Sequence, residues 1–172
     1  MKKLYLIILL MLSVSLKNFA QKDTSDLITT GQQVPSFSFE IEKGKTVSIN
    51  DYKGKLVLIN LFATWCPPCN EELPLAQKDI WDKHKDNPHF AFFVFGREQD
   101  WAKVLPFKEK KGFTFPILPD EGRKIYSLFA KSFIPRNYLV DENGKIIYQS
   151  MGFSTNEFQK LVQIIDQHLK NN

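Results

Sequence analysis

Leu56-Val57-Leu58-Ile59-Asn60-Leu61-Phe62-Ala63-Thr64-Trp65-Cys66-Pro67-Pro68-Cys69 is the stretch that decides how this chain folds. Its first seven residues are almost unbroken apolar, the pattern of a strand buried on both faces of a sheet. Two prolines follow Cys66, and proline is tolerated in a first helical turn, where backbone N–H groups lack helical partners. Strand, short turn and helix therefore meet at Cys66, and Cys69 lies one turn further along the same helical face. The free N–H groups and the helix dipole favour negative charge on the Cys66 sulfur. Lowering a thiol from ~8.5 towards ~7 corresponds to about 2 kcal/mol of thiolate stabilisation. Such a pair suits an exchange in which Cys66 attacks a disulfide, a mixed disulfide forms, and Cys69 resolves it.

The flanking sequence frames this motif. Phe37 and Phe39 alternate with serines, as do Val47 and Ile49 around Ser48, which predicts a hairpin through Gly44. Residues 52–55 form a turn. Downstream, residues 71–85 have helical composition, with Pro74 expected to kink them, and residues 90–95 read as a second buried strand ended by Gly96. Residues 101–111 suit a helix that Pro106 shortens or bends; 115–118 are extended and 123–131 helical. Residues 137–140 and 145–149 predict a hairpin across Asn143-Gly144. The last helix carries Phe158, Leu161, Val162, Ile165 and Leu169 on one face, behind a Ser154–Glu157 capping box. The order predicts an α/β fold with a mixed central sheet flanked by helices and an N-terminal β-hairpin extension.

The chain of 172 residues, 43% of them hydrophobic, suits a single domain, here expected over 34–172. Residues 1–20 read as an export signal: Lys2 and Lys3 precede an apolar run that Lys17 interrupts, short of the ~20 residues of a membrane span. Cleavage after Ala20 or retention as an anchor both fit, and residues 21–33 read as a leader. The working place is then the periplasm or extracytoplasmic cell envelope. Of the net charge of +4, Lys2, Lys3 and Lys17 account for three, so the remainder argues against nucleic-acid binding. The two cysteines close too short a loop to stabilise the chain much by entropy, so reversible chemistry explains the pair better than bracing.

Residues 34–37, 52–55, 56–62 and 63–69, followed by Phe133-Ile134-Pro135 and Asp141-Glu142-Asn143-Gly144-Lys145, together resemble the TlpA/ResA-like branch of the thioredoxin superfamily. The likeness spans roughly residues 31–169. It implies a thiol–disulfide oxidoreductase without cofactor or metal, monomeric, acting on protein disulfides and supplied by a membrane thiol-transfer electron donor. It also implies that Pro135 is a cis-proline packed beside the cysteines, with Ile134 offering backbone groups to an extended substrate. The apolar Ile134 side chain gives the thiolate no hydrogen bond, which favours reduction over oxidation. Glu72 stands where this branch carries a partly buried glutamate able to shift a thiol pKa and relay protons; a first-turn acid complementing the dipole is the alternative. The general pattern's buried aspartate is replaced by Asn60. Trp65 suits either the active-site rim or the core. Arg136-Asn137 departs from the usual threonines and leaves the polarity and charge of the substrate groove open, and Arg97, Glu98 and Trp101 map to no functional position.

Three rival readings of the cysteine pair compete with this one. Cys66, Cys69, His84 and His89 match a loose zinc-finger spacing, but a helix from Cys69 to His84 would separate them by about 22 Å, so the histidines read as surface residues. A peroxiredoxin-like peroxide reductase needs a Thr or Ser three residues before its cysteine, and Thr64 is only two before Cys66. A non-catalytic binding module with an inert disulfide is the third.

Overall fold

The computed structural model describes residues 25–170, so the predicted signal segment lies outside the described residues. Among these, no helix is long and apolar enough to cross a membrane. Strands β1 (Ser38–Glu42) and β2 (Lys45–Ser48) form the expected antiparallel hairpin. β3 (Leu56–Phe62) is buried at every residue and leads into α1 (Pro67–Ala76). The helix continues through a π turn at Gln77–Trp81 to Asp82–His84; its interior Pro74 lies three residues before the π turn. There follow β4 (Phe90–Arg97), α2 (Trp101–Lys111), β5 (Ile117–Asp120), α3 (Tyr126–Phe129), β6 (Arg136–Val140), β7 (Ile146–Met151) and α4 (Thr155–Lys170).

The main sheet runs β5-β4-β3-β6-β7, with β3 parallel to β4 and antiparallel to β6. Alternate β3 residues serve opposite layers. Leu56, Leu58 and Phe62 pack with Leu73 of α1 and with Phe158, Leu161 and Ile165 of α4. Val57, Ile59 and Leu61 face Phe39 and Ile49 of the hairpin region, with Tyr126 and Phe129 of α3. Coverage on both sides explains why β3 and β4 are apolar without alternation.

The structure adds detail at three places and overturns one expectation. Residues 123–131 do not form one helix, because Gly122 and Arg123 adopt positive φ angles of 70° and 63°. The Asp120 carboxylate then accepts hydrogen bonds from the Ile125 and Tyr126 N–H groups, at 2.7 and 2.8 Å, and starts α3 later. Pro106 does not shorten α2, which keeps the expected span Trp101–Lys111; its ring and Ala102, whose carbonyl loses its helical partner, are both exposed to solvent. Residues 25–33, within the stretch read as a leader or linker, are docked on the domain: Ile28 enters the core, Leu27 N–H donates to Phe129 O at 3.0 Å, and Gly31 N–H donates to Ile146 O at 2.8 Å.

Candidate active site

β3 ends in a turn that delivers Cys66 as the N-cap of α1. Buried Gln99 pins that turn, accepting from Thr64 N–H at 2.9 Å and donating to Thr64 Oγ1 at 2.7 Å. Asn70 Nδ2 donates to the Thr64 and Cys66 carbonyls from the helix side, at 3.1 and 2.9 Å. Cys66 and Cys69 are joined as a disulfide with Cα atoms 5.3 Å apart. The Cys69 N–H lies 3.3 Å from Cys66 Sγ, placing a helix-end donor where charge on that sulfur would be stabilised.

In the disulfide form both cysteines are buried, Cys66 at 2% and Cys69 at 0%. Ile134 supplies one wall: its carbonyl oxygen lies 3.9 Å from Cys66 Sγ, and the Ile134–Pro135 bond is cis. Trp65, next to Cys66 in the chain, is 62% exposed, so it does not pack in the core. The Arg97 guanidinium sits 5.6 Å from the Trp65 ring and 5.2 Å from that of Tyr126, giving the previously unplaced Arg97 a position beside the motif. Trp101 instead donates to Glu40 of β1 at 2.6 Å.

Behind the disulfide lies a buried polar row. Asn60 of β3, Asn137 of β6 and Ser150 of β7 are direct register partners across three strands. Asn60 Nδ2 donates to Asn137 Oδ1 at 2.8 Å and to Glu72 Oε2 at 3.1 Å, while Asn137 Nδ2 donates to Glu72 Oε1 at 2.5 Å and to Ser150 Oγ at 3.3 Å. Burial pushes the Glu72 carboxyl up to about 7, against the lowering effect of the Asn137 and Asn60 amides. At 2% exposure Glu72 is no solvated first-turn acid. Asn60 alone among the polar partners had a sequence signal, as the lone polar residue inside an apolar strand; the roles of Asn137 and Ser150 depend on register.

Strand alternation sends Arg136 the opposite way from Asn137. Arg136 is 1% exposed, so its charge does not line the groove; it pairs with Asp26 instead. His84 is bonded to Asp166 at 2.7 Å and His168 to Glu142 at 2.8 Å, both pairs partly buried rather than free on the surface. Among the described residues, no group of three or more His, Cys, Asp or Glu side chains is placed to hold a metal ion.

Residues 29–165, most of the chain, match the Redoxin family. The chain belongs to the Redoxin family. Within this family it is 32% identical over 139 residues to the thiol-disulfide oxidoreductase ResA of Bacillus thuringiensis (strain Al Hakam), covering 81% of this chain and 78% of the relative. A solution structure from Bacteroides thetaiotaomicron, provisionally described as a protein disulfide isomerase, superposes with a TM-score of 0.81 at 36% identity, over 85% of this chain and 93% of that one. The crystal structure of StoA from Bacillus subtilis superposes at 0.58 and 28% identity, over 76% and 97%. This Redoxin-family chain is thus a thiol–disulfide oxidoreductase of the TlpA/ResA-like branch of the thioredoxin superfamily, as the ordered motifs implied.

Proposed function

We propose that this oxidoreductase reduces disulfides of proteins outside the cytoplasm. The observation that carries the reading is the Cys66–Cys69 pair at the N-terminus of α1, walled by the Ile134 carbonyl and backed by buried Glu72. In the dithiol form, the Cys66 thiolate attacks one sulfur of a substrate disulfide. The new bond joins Cys66 to the substrate, and the other substrate sulfur leaves as a thiolate that takes up a proton. Cys69 then attacks Cys66 Sγ, releasing the second substrate thiol and closing the enzyme disulfide. Two electrons have passed to the substrate.

Glu72 lies three residues beyond Cys69 on the helix and is assigned the proton from the Cys69 thiol before that second attack. A carboxyl poised at about 7 suits that exchange near neutrality. Trp65 at the rim and the Ile134–Pro135 backbone beside the sulfur are the surfaces against which the substrate chain docks. The apolar Ile134 side chain leaves the Cys66 thiolate without an added donor, in keeping with a reductant. Electrons return from a membrane thiol-transfer protein, and the basic, apolar opening of residues 1–20 supports delivery to the cell envelope.

A Cys69→Ser protein expressed with its own leader should accumulate mixed disulfides with envelope proteins, seen as high-mass bands that dithiol treatment collapses. Equal trapping by Cys66→Ser would reverse the assignment of nucleophile, and no trapping by either would leave an inert disulfide. Glu72→Gln should displace the thiol titration while keeping the fold; an unmoved curve would remove Glu72 from proton transfer.

A further inference from the structure

We propose that Arg136 and Asp26 are positioning residues for substrate capture: together they clamp the backbone of Ser132 and Phe133, the loop that leads directly into the wall beside Cys66. The inference rests on the reading that polypeptide disulfides dock against this loop. Arg136 begins β6 and is buried, yet its guanidinium is fully engaged. Nη2 donates to Ser132 O at 2.8 Å and to Ser25 Oγ at 2.5 Å; Nε donates to Ser132 O at 3.1 Å and to Phe133 O at 3.3 Å; Nη1 pairs with Asp26. From a second direction, the Tyr126 hydroxyl donates to Phe133 O at 2.7 Å.

The loop needs such a clamp. Phe133 has a φ of 68°, a left-handed conformation that is unfavourable for a residue with a Cβ and persists only where the surroundings over-determine it. Phe133 is also 61% exposed, so packing of its ring does not hold it there. The backbone bonds do. The next residue, Ile134, carries the carbonyl 3.9 Å from Cys66 Sγ, so a shift at Phe133 moves the wall against which the substrate chain lies. Exposed Phe133 adjoins Ile134 and exposed Trp65 adjoins Cys66, so each of the two contacting residues has an apolar surface neighbour in the chain.

A buried guanidinium requires a counter-charge, and among the described residues its ion-pair partner is Asp26, far away in sequence. Asp26 is itself fixed, since its other oxygen accepts from Gln149 Nε2 at 3.1 Å. It therefore acts on the loop through Arg136. Only the planar fork of arginine reaches two carbonyls and a carboxylate together; lysine keeps the charge and loses that geometry.

The test uses the full-length protein, returned to the dithiol after each turnover by dithiothreitol with the uncatalysed rate subtracted, and two oxidants: insulin, a polypeptide disulfide that must lie along the loop, and hydroxyethyl disulfide, which needs only the sulfur. In Arg136→Lys and Asp26→Asn, the KM for insulin should rise about fivefold or more, with kcat and the hydroxyethyl disulfide rate within about twofold of the parent. Tyr126→Phe, which leaves the ion pair intact, should raise the insulin KM by about twofold. Parallel losses on both oxidants, or an unchanged insulin KM in folded variants, would overturn the clamp. If either ion-pair variant fails to fold by circular dichroism, Tyr126→Phe decides alone, and an unchanged KM there counts against the inference. A parent protein that reduces hydroxyethyl disulfide but not insulin would instead overturn the proposed function, and the clamp with it.

Discussion

A carboxyl sealed between two amide groups, as Glu72 is between Asn60 and Asn137, ties stability to pH. Its pKa is about 7 in the fold, against 4.5 for an ordinary glutamate, so on raising the pH the unfolded chain loses this proton first. The contribution is fully present below about 4.5, is lost between there and about 7, and stays lost above. Glu72→Gln should therefore be the more stable protein at pH 8, by up to about 3 kcal/mol, and equal to the parent near pH 4. Urea unfolding at the two pH values checks this; a constant difference would contradict the burial argument. At this scale the sequence points to Cys66, Cys69, Pro135 and Glu72 as candidates, since motif spacing and resemblance both act locally. It could not disclose that Asn137 turns towards Glu72 while Arg136 turns away. That depends on how β6 registers with β3 and β7, which no local pattern records.

Elements were legible where periodicity was strong and less so where a single residue breaks it. β3 and the face of α4 followed from their apolar patterns. The helix expected over residues 123–131 did not, because the break at Gly122 and Arg123 is a backbone event inside helix-compatible composition. Likewise Ser154 Oγ accepts from Glu157 N–H at 3.3 Å as a cap should, while the Glu157 carboxylate also accepts from the Tyr148 hydroxyl of β7 at 3.1 Å. One element junction carries a sharp requirement. A Cβ on Gly96 would lie 2.7 Å from Val104 Cγ1, where α2 crosses the end of β4, and 3.2 Å from Gln99 Oε1. Val104 is fully buried and has nowhere to swing. Gly96→Ala should lose about 1–3 kcal/mol in urea unfolding, and also slow disulfide exchange, because Gln99 holds the turn before Cys66. Asp100→Ala, which removes the 3.0 Å bond from Lys103 N–H at the start of α2, should cost about 1 kcal/mol with exchange unchanged.

Across the whole molecule, the sheet is sandwiched by helices on one face and by the hairpin, α3 and residues near Ile28 on the other. The sequence foretold this mixed sheet and its hairpin, yet assigned residues 21–33 to a leader, because a polar stretch without period gives no sign that one isoleucine and one aspartate dock at distant sites. A shortened protein beginning at Val34 keeps both cysteines and every named element, but removes the counter-charge of buried Arg136. It should lose about 3–5 kcal/mol of stability, seen as a lower urea midpoint, and Arg136→Leu in that background should recover part of the loss. The enclosure of the two joined cysteines, 2% and 0% exposed as residues, bears on how such a protein shares its surroundings with others. With so little surface to share, whatever reopens this bond and whatever the reopened pair attacks cannot be seated at once, and must take turns.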